Sequence, residues 1–179
     1  MKQVQYNGLT FVPFISKEEI ANRVREIAAD IKSDFEGSVP LFICVLNGAF
    51  PFAADLFRAV GIDAEITFIR LKSYQGTGTT GAVKEIVGLS ENIKDRDIII
   101  VEDIVDTGHT LAKLLVDLKK LEPARIKIAT LLFKPEAERN GVKPDYVGFS
   151  IDPRFIIGYG LDLDGMARNL EDIYVLKKD

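Results

Sequence analysis

The sequence predicts an α/β fold built on an open, mostly parallel central sheet with flanking helices. Three observations carry that expectation. Short continuous apolar runs, LFICVL, DIIIVE and RIKIATLLF, recur along the chain; stretches of helical periodicity separate them; and no internal repeat, low-complexity tract or linker interrupts the order. Strands buried on both faces of a parallel sheet read as unbroken apolar runs because helices cover both sides.

The elements follow in chain order. Ser16-Lys17-Glu18-Glu19 has capping-box spacing, Ile15 and Ile20 are placed to form a hydrophobic staple, and Ile20, Val24, Ile27 and Ile31 repeat at helical intervals. A first amphipathic helix is therefore expected there. After the break from Gly37 to Pro40, LFICVL reads as a strand ending at Asn47-Gly48, and PFAADLFRAV as a helix beginning near Pro51. Asp63 to Leu71, DAEITFIRL, alternates as a strand does, and KEIVGL from Lys84 is a candidate to pair with it. Between them SYQGTGTTGA has nothing to build a core; by composition it is either a loose hairpin tip or a lid over a site. DIIIVE is the most strand-like segment. Leu111, Leu114, Leu115, Leu118 and Leu121 mark a helix stopped by Glu122-Pro123, and RIKIATLLF is the next strand. DYVGFSI, FIIGYG and IYVLK are short strand candidates in a last third that reads as irregular additions around the sheet.

With 179 residues, 47% of them hydrophobic, the chain suits one globular domain spanning 1–179. Its 27 Asp+Glu against 23 Lys+Arg, with no long basic run, do not suggest nucleic-acid or membrane-surface binding, so small molecules and like subunits are the expected partners. MKQVQYNGLTFVPF lacks the apolar core of a signal peptide and no window is long enough to cross a bilayer, which points to the cytoplasm. The single cysteine, Cys44, cannot form an internal disulfide and reads as a small core residue.

The segment IIIVEDIVDTGHT runs an apolar strand into Glu102-Asp103 and then into Asp106-Thr107-Gly108. In an open parallel sheet, ligands gather beyond the carboxyl ends of the strands. The loop from Ile104 to Thr110 offers consecutive backbone N–H groups, the Thr107 and Thr110 hydroxyls and a permissive Gly108, which suits a phosphate at a positive helix end. Glu102 and Asp103 would repel that phosphate if they faced it, so sugar hydroxyls or a hydrated cation are their expected partners. Asp106 is left as a candidate proton acceptor. A strand-end metal site of receiver type and a plain helix cap by Asp106 are alternative readings of the same acids. No Walker A loop or dinucleotide fingerprint is present, and His109, the only histidine, reads as an exposed spacer in the turn.

VEDIVDTGHT resembles the phosphoribosyl-pyrophosphate motif of type I phosphoribosyltransferases. CVLNGAF, RLKSYQGTGTTG, LLFKPE, KPDYVGFSI and RFIIGYGLDLD match, in order, enzymes of the hypoxanthine-guanine phosphoribosyltransferase type, so that the resemblance covers nearly the whole chain from about Ile20. It implies a purine-salvage glycosyltransferase that joins a 6-oxopurine to phosphoribosyl pyrophosphate, giving IMP or GMP and pyrophosphate. A small hood over the base site, formed by the N-terminal segment and about 150–179, belongs to that expectation, as does a homodimer or homotetramer.

By position, the resemblance assigns Glu102 and Asp103 to the ribose hydroxyls, partly through Mg2+, and the turn Asp106, Thr107, Gly108, His109 and Thr110 to the 5′-phosphate. Asp106 would lie beside purine N7 as the catalytic acid–base group. Lys134 would meet the 6-oxo group, Phe155 stack on the base, and the Ile156 backbone read its edge. Asp162 would sit at a second Mg2+ and near the purine 2-position, and Arg168 with the Asn47-Gly48 loop would bind pyrophosphate. Ser73 and Tyr74 would begin the loop that closes over the reacting centre. Without the family, Lys134 reads as a surface lysine and Phe155 as a core ring. Asn47 is a departure, because many members carry a basic residue there; Arg154, where relatives carry lysine, keeps its charge. A xanthine-preferring enzyme and a noncatalytic sensor of phosphoribosyl pyrophosphate on the same fold are the competing functions.

Overall fold

The structure is a computed structural model that describes residues 2–73 and 83–177. The first helix, α1 (Lys17–Asp34), starts where the capping box predicts: Ser16 is the N-cap, and Ser16 and Glu19 bond each other reciprocally. Ile20, Val24, Ile27 and Ile31 form its buried face. Ahead of it lies a hairpin for which no strand is expected from the sequence reading, β1 (Val4–Tyr6) and β2 (Leu9–Ile15). Its turn is Asn7-Gly8, both at positive φ, the conformation a two-residue hairpin loop demands. Asn-Gly was the available signal, and the short flanks obscured it.

Six strands make the main sheet, in the order β5-β4-β3-β6-β7-β8. β3 (Leu41–Leu46), β4 (Glu65–Ser73), β6 (Asp97–Val105), β7 (Arg125–Phe133) and β8 (Tyr146–Ser150) are parallel, and β5 (Val83–Val87) runs antiparallel to β4 at one edge. α2 (Phe50–Ala59) links β3 to β4, while α3 (His109–Lys119) links β6 to β7 in the opposite direction. The order therefore reverses between β3 and β6, which opens a crevice at the carboxyl ends of those two strands.

Alternation across the sheet builds two cores. Phe42, Cys44, Ile99 and Val101 pack towards α1 and α2, and Leu41, Ile43, Ile98 and Ile100 pack towards Leu111, Leu114 and Leu118 of α3. On β8, the outer strand, Arg23 of α1 donates to the Gly148 and Val147 carbonyls at 2.8 and 2.7 Å, which satisfies part of an exposed edge.

Two boundaries differ from expectation. β6 does not stop at the acids but continues through Glu102 and Asp103 to Val105, in register with β7 as far as Val105↔Phe133. The apolar Ile104 and Val105 keep the ladder going. α3 ends at Lys119, before Glu122-Pro123, and Glu122 sits at a φ of 54°.

The last third is more regular than its punctuation suggests. β9 (Ile156–Ile157) and β10 (Ile173–Leu176) join the N-terminal hairpin in a second, four-stranded sheet of order β1-β2-β10-β9. Phe11, Ile157 and Tyr174 form its core. Among the described residues, no helix is long and apolar enough to cross a membrane.

Candidate active site

The crevice is lined from both sides. At the end of β3 the Leu46–Asn47 peptide is cis, Asn47 is exposed and Gly48 is buried. A Cβ on Gly48 would fall 1.5 Å from Asp103 Oδ2, so only glycine lets this loop lie against the β6 carboxylate. From the other side Arg168 donates to the Gly160 carbonyl and pairs with Asp162 Oδ1, both at 2.6 Å. Asp162 Oδ2 also accepts from Gly165 N–H at 2.7 Å. Tyr159, at a φ of 46°, donates from its hydroxyl to Asp55 of α2 at 2.6 Å. This ties the loop carrying Asp162 and Arg168 to the helix that begins beside Gly48.

Electrostatics mark the acids as the costly part of the site. Burial pushes the Glu102 carboxyl well above the usual range, and neighbouring Asp103 pushes the same way. Asp103 is pushed up to about 6, chiefly by burial and also by Asp162, against the Ile104 N–H and Arg168. Cys44, behind them in the core, is pushed up to about 12 by burial and then by the two carboxylates, which suits an inert core thiol.

After β6 the chain turns sharply. Gly108, at a φ of 77°, is the N-cap of α3 and offers no capping side chain, and the Thr107 hydroxyl makes only a long contact with the His109 N–H, at 3.5 Å. Asp106 instead meets Lys134, whose Nζ donates to Asp106 Oδ2 at 2.7 Å. The simple capping role for Asp106 is thereby set aside. Lys134 is no surface lysine: the residue is 8% exposed, with its backbone N–H on the Val105 carbonyl. A cavity of about 170 Å³ lies at the turn, lined by Glu102 and by Ile104 to Leu111. Its uncapped helix start provides N–H donors and a positive potential for an anion. Thr107, His109 and Thr110 are exposed along it.

Phe155 is no core ring either. It is 47% exposed, tilted at 6.0 Å against Phe11 of the small sheet, whereas Ile156 is buried and paired with Val175. Ser73 is described only as the last backbone position of β4; Tyr74 and the rest of the expected closing loop lie outside the described residues. Among the described residues, no three His, Cys, Asp or Glu side chains converge as a metal cluster. A larger cavity of about 540 Å³ shares Arg168 with the crevice but is lined otherwise by groups such as Ile20, Phe50, Pro51 and Leu170. The acids of β6 are not among its walls.

Two residues for which the sequence offers no signal also reach the turn. Asn140 Nδ2 donates to the Thr107 carbonyl at 2.7 Å, and Glu138 Oε1 accepts from the Asn140 and Val142 N–H groups at 2.6 and 3.1 Å. In sequence they are ordinary polar loop residues.

Comparison with known proteins identifies the family. Residues 15–164 match the phosphoribosyl transferase domain family. Similar proteins include the hypoxanthine-guanine phosphoribosyltransferase of Lactococcus lactis, 42% identical over 92% of this chain and 90% of that one. That of Bacillus subtilis is also 42% identical, over 91% of each chain. A crystal structure of a hypoxanthine-guanine phosphoribosyltransferase from Bacillus anthracis superposes with a TM-score of 0.84 at 40% identity, covering 93% of this chain and 97% of the other. With a strand-end acid pair, an uncapped helix start and matches of this extent, the chain belongs to the phosphoribosyl transferase domain family.

Proposed function

We propose that the protein is a purine-salvage transferase that joins hypoxanthine or guanine to 5-phosphoribosyl 1-pyrophosphate, giving IMP or GMP and pyrophosphate. One observation carries the reading: the uncapped start of α3 borders an anion-sized cavity, and Asp106, in the wall of that cavity, is held 2.7 Å from a buried lysine. The activity for which the relatives are named supports it.

In this reading the turn from Asp106 to Thr110 holds the 5′-phosphate on backbone N–H groups and the two threonine hydroxyls, with Gly108 and His109 contributing backbone. Glu102 and Asp103 hold the ribose hydroxyls. Gly48 and Asn47 bind pyrophosphate through backbone donors, and Arg168 adds the cation that Asn47 lacks. The base stacks on Phe155 under a hood made by the small sheet, with its edge on the Ile156 backbone and its 2-position towards Asp162. Lys134 exchanges Asp106 for the purine 6-oxo group, where it stabilises charge developing on the base. Asp106, so released, takes the N7 proton as N9 bonds to C1′ and the bond from C1′ to the pyrophosphate oxygen breaks. The loop begun by Ser73 and Tyr74 closes to exclude water, which would otherwise capture the ribosyl centre.

The donor set fits Mg2+. Glu102 and Asp103 are hard oxygen ligands whose carboxyls burial holds above their ordinary range, a cost that a cation relieves, and Mg2+ commonly takes one or two carboxylates with substrate oxygens and water. Asp162 would serve a second ion. When bound, the metal neutralises charge on the departing pyrophosphate. A homodimer or homotetramer is proposed on the strength of Phe50 and Phe68, which expose 50% and 45% of their surface. Cytoplasmic action is part of the same proposal, since a sugar carrying three phosphates does not cross a bilayer unaided.

The test is a spectrophotometric transferase assay with phosphoribosyl pyrophosphate and magnesium, offering hypoxanthine, guanine, xanthine and adenine separately. Monophosphate from hypoxanthine or guanine but not adenine supports the reading. Turnover of xanthine alone would reassign the base, and binding of phosphoribosyl pyrophosphate without turnover would make the protein a sensor.

A further inference from the structure

The loop between β7 and β8 runs behind the anion-binding turn without lining its cavity. It nevertheless makes the turn's most specific contact. The Thr107 carbonyl accepts two hydrogen bonds from this loop, from Arg139 N–H at 3.1 Å and from Asn140 Nδ2 at 2.7 Å. Both lone pairs of that oxygen are then engaged. In a trans peptide the C=O and N–H point in opposite directions. A Thr107 carbonyl aimed at the loop therefore sends the Gly108 N–H the other way, to the side on which the cavity lies. If this peptide turned over, it would present a carbonyl dipole to the anion in place of a donor.

Asn140 is itself held. Glu138 Oε1 accepts its backbone N–H at 2.6 Å and that of Val142 at 3.1 Å, and the same oxygen lies 2.6 Å from where a Cβ on Gly108 would be. Burial raises the Glu138 carboxyl, but the backbone donors of Val142, Asn140 and Gly141 outweigh it and leave the group below its ordinary range. It is thus held as a carboxylate, an acceptor for the loop's donors. Lys134, at the start of the same loop, faces Asp106.

We propose that Asn140, braced by Glu138, is a positioning residue for the phosphorylated substrate: it holds the Thr107–Gly108 peptide with its N–H towards the 5′-phosphate and sets affinity for that group without touching it. The inference rests on the phosphate assignment proposed above. Its effect is confined to one half of the reaction, because the base meets other residues.

The experiment measures ribose 5-phosphate binding by calorimetry, and steady-state kinetics, for the wild type and for Asn140→Ala, Asn140→Asp and Asn140→Gln. Loss of one net hydrogen bond predicts that Asn140→Ala weakens ribose 5-phosphate and raises KM for phosphoribosyl pyrophosphate by about five- to tenfold, with KM for the base and Tm unchanged. Asn140→Asp, which sets an anion against the carbonyl, weakens both further. Asn140→Gln, which keeps the amide donor, stays within about threefold of the wild type. Unchanged ribose 5-phosphate affinity in both Ala and Asp variants overturns the proposal, as does a fall in Tm that accounts for the loss in every variant. A wild type that binds ribose 5-phosphate but makes no monophosphate from phosphoribosyl pyrophosphate and any base sinks the proposed reaction alone, and the same titration still decides the role of Asn140. A wild type that does not bind it overturns both.

Discussion

The two sheets divide the work of the molecule unequally. The six-stranded sheet is assembled largely from neighbours in sequence and has a hydrophobic core on each face, and its strand ends carry the charged groups Glu102, Asp103, Asp106 and Lys134. The four-stranded sheet joins the first fifteen residues to the last quarter of the chain, in strands of two to seven residues, and carries the exposed ring Phe155. The contrast teaches that the groups needing fixed charge stand on the larger sheet with a core on each face, while the exposed ring proposed to meet the base stands on the smaller one.

The sharpest way to break that contrast is at the charged end. Asp106→Asn is expected to lower kcat by about two to four orders of magnitude, the usual cost of losing a general base, while ribose 5-phosphate binding stays near wild type and Tm falls because buried Lys134 loses its anionic partner. Near-normal turnover would remove Asp106 from the mechanism and with it the division of labour. Phe155→Ala tests the other sheet. Loss of a stacking face worth about 1–3 kcal/mol predicts a rise in KM for the base of about tenfold to a hundredfold, with KM for phosphoribosyl pyrophosphate unchanged. Equal effects on both substrates would mean that the ring supports the fold.

Hydrogen exchange compares the sheets without a mutation. Amides of β2 and β10 are expected to exchange faster than those of β6 and β7 by at least about tenfold, equivalent to about 1.4 kcal/mol of opening free energy. Matching protection would show the two sheets opening as one unit.

The smallest effect concerns Asp103, whose carboxyl is pushed up to about 6 from an ordinary value of 3.8. Between those values the folded protein binds more protons than the unfolded chain, so stability falls as pH rises through that window. A cation on the carboxylate offsets this cost. Magnesium is therefore expected to raise Tm by a few degrees at about pH 8 and by less at about pH 5. An equal shift at both values would argue against Asp103 as a ligand.

Much of this was legible in the chain, and unevenly so. The start of α1, the bounds of β3 and β7 and the turn at Gly108 are written in local signals: a capping box, unbroken apolar runs and a glycine after Asp-Thr. β1, β2 and the pairing of β9 with β10 were not, because strands this short leave little periodicity and their partners lie far along the chain. Within the site, Glu102, Asp103 and Asp106 stand out as acids in an apolar context, yet nothing in sequence tells that Lys134 is buried against Asp106 or that Asn140 holds the Thr107 carbonyl.

The sequence by itself determined the α/β order, the carboxylates after an apolar strand and the glycine-containing turn, because backbone preference and side-chain chemistry are local properties. Only the tertiary structure decided that Gly48 lies against Asp103, that the 158–168 loop brings Arg168 and Asp162 into the crevice, and that Arg139 and Asn140 hold the Thr107 carbonyl. Those contacts join residues tens of positions apart, and only packing selects them from the many pairings a chain of this composition allows.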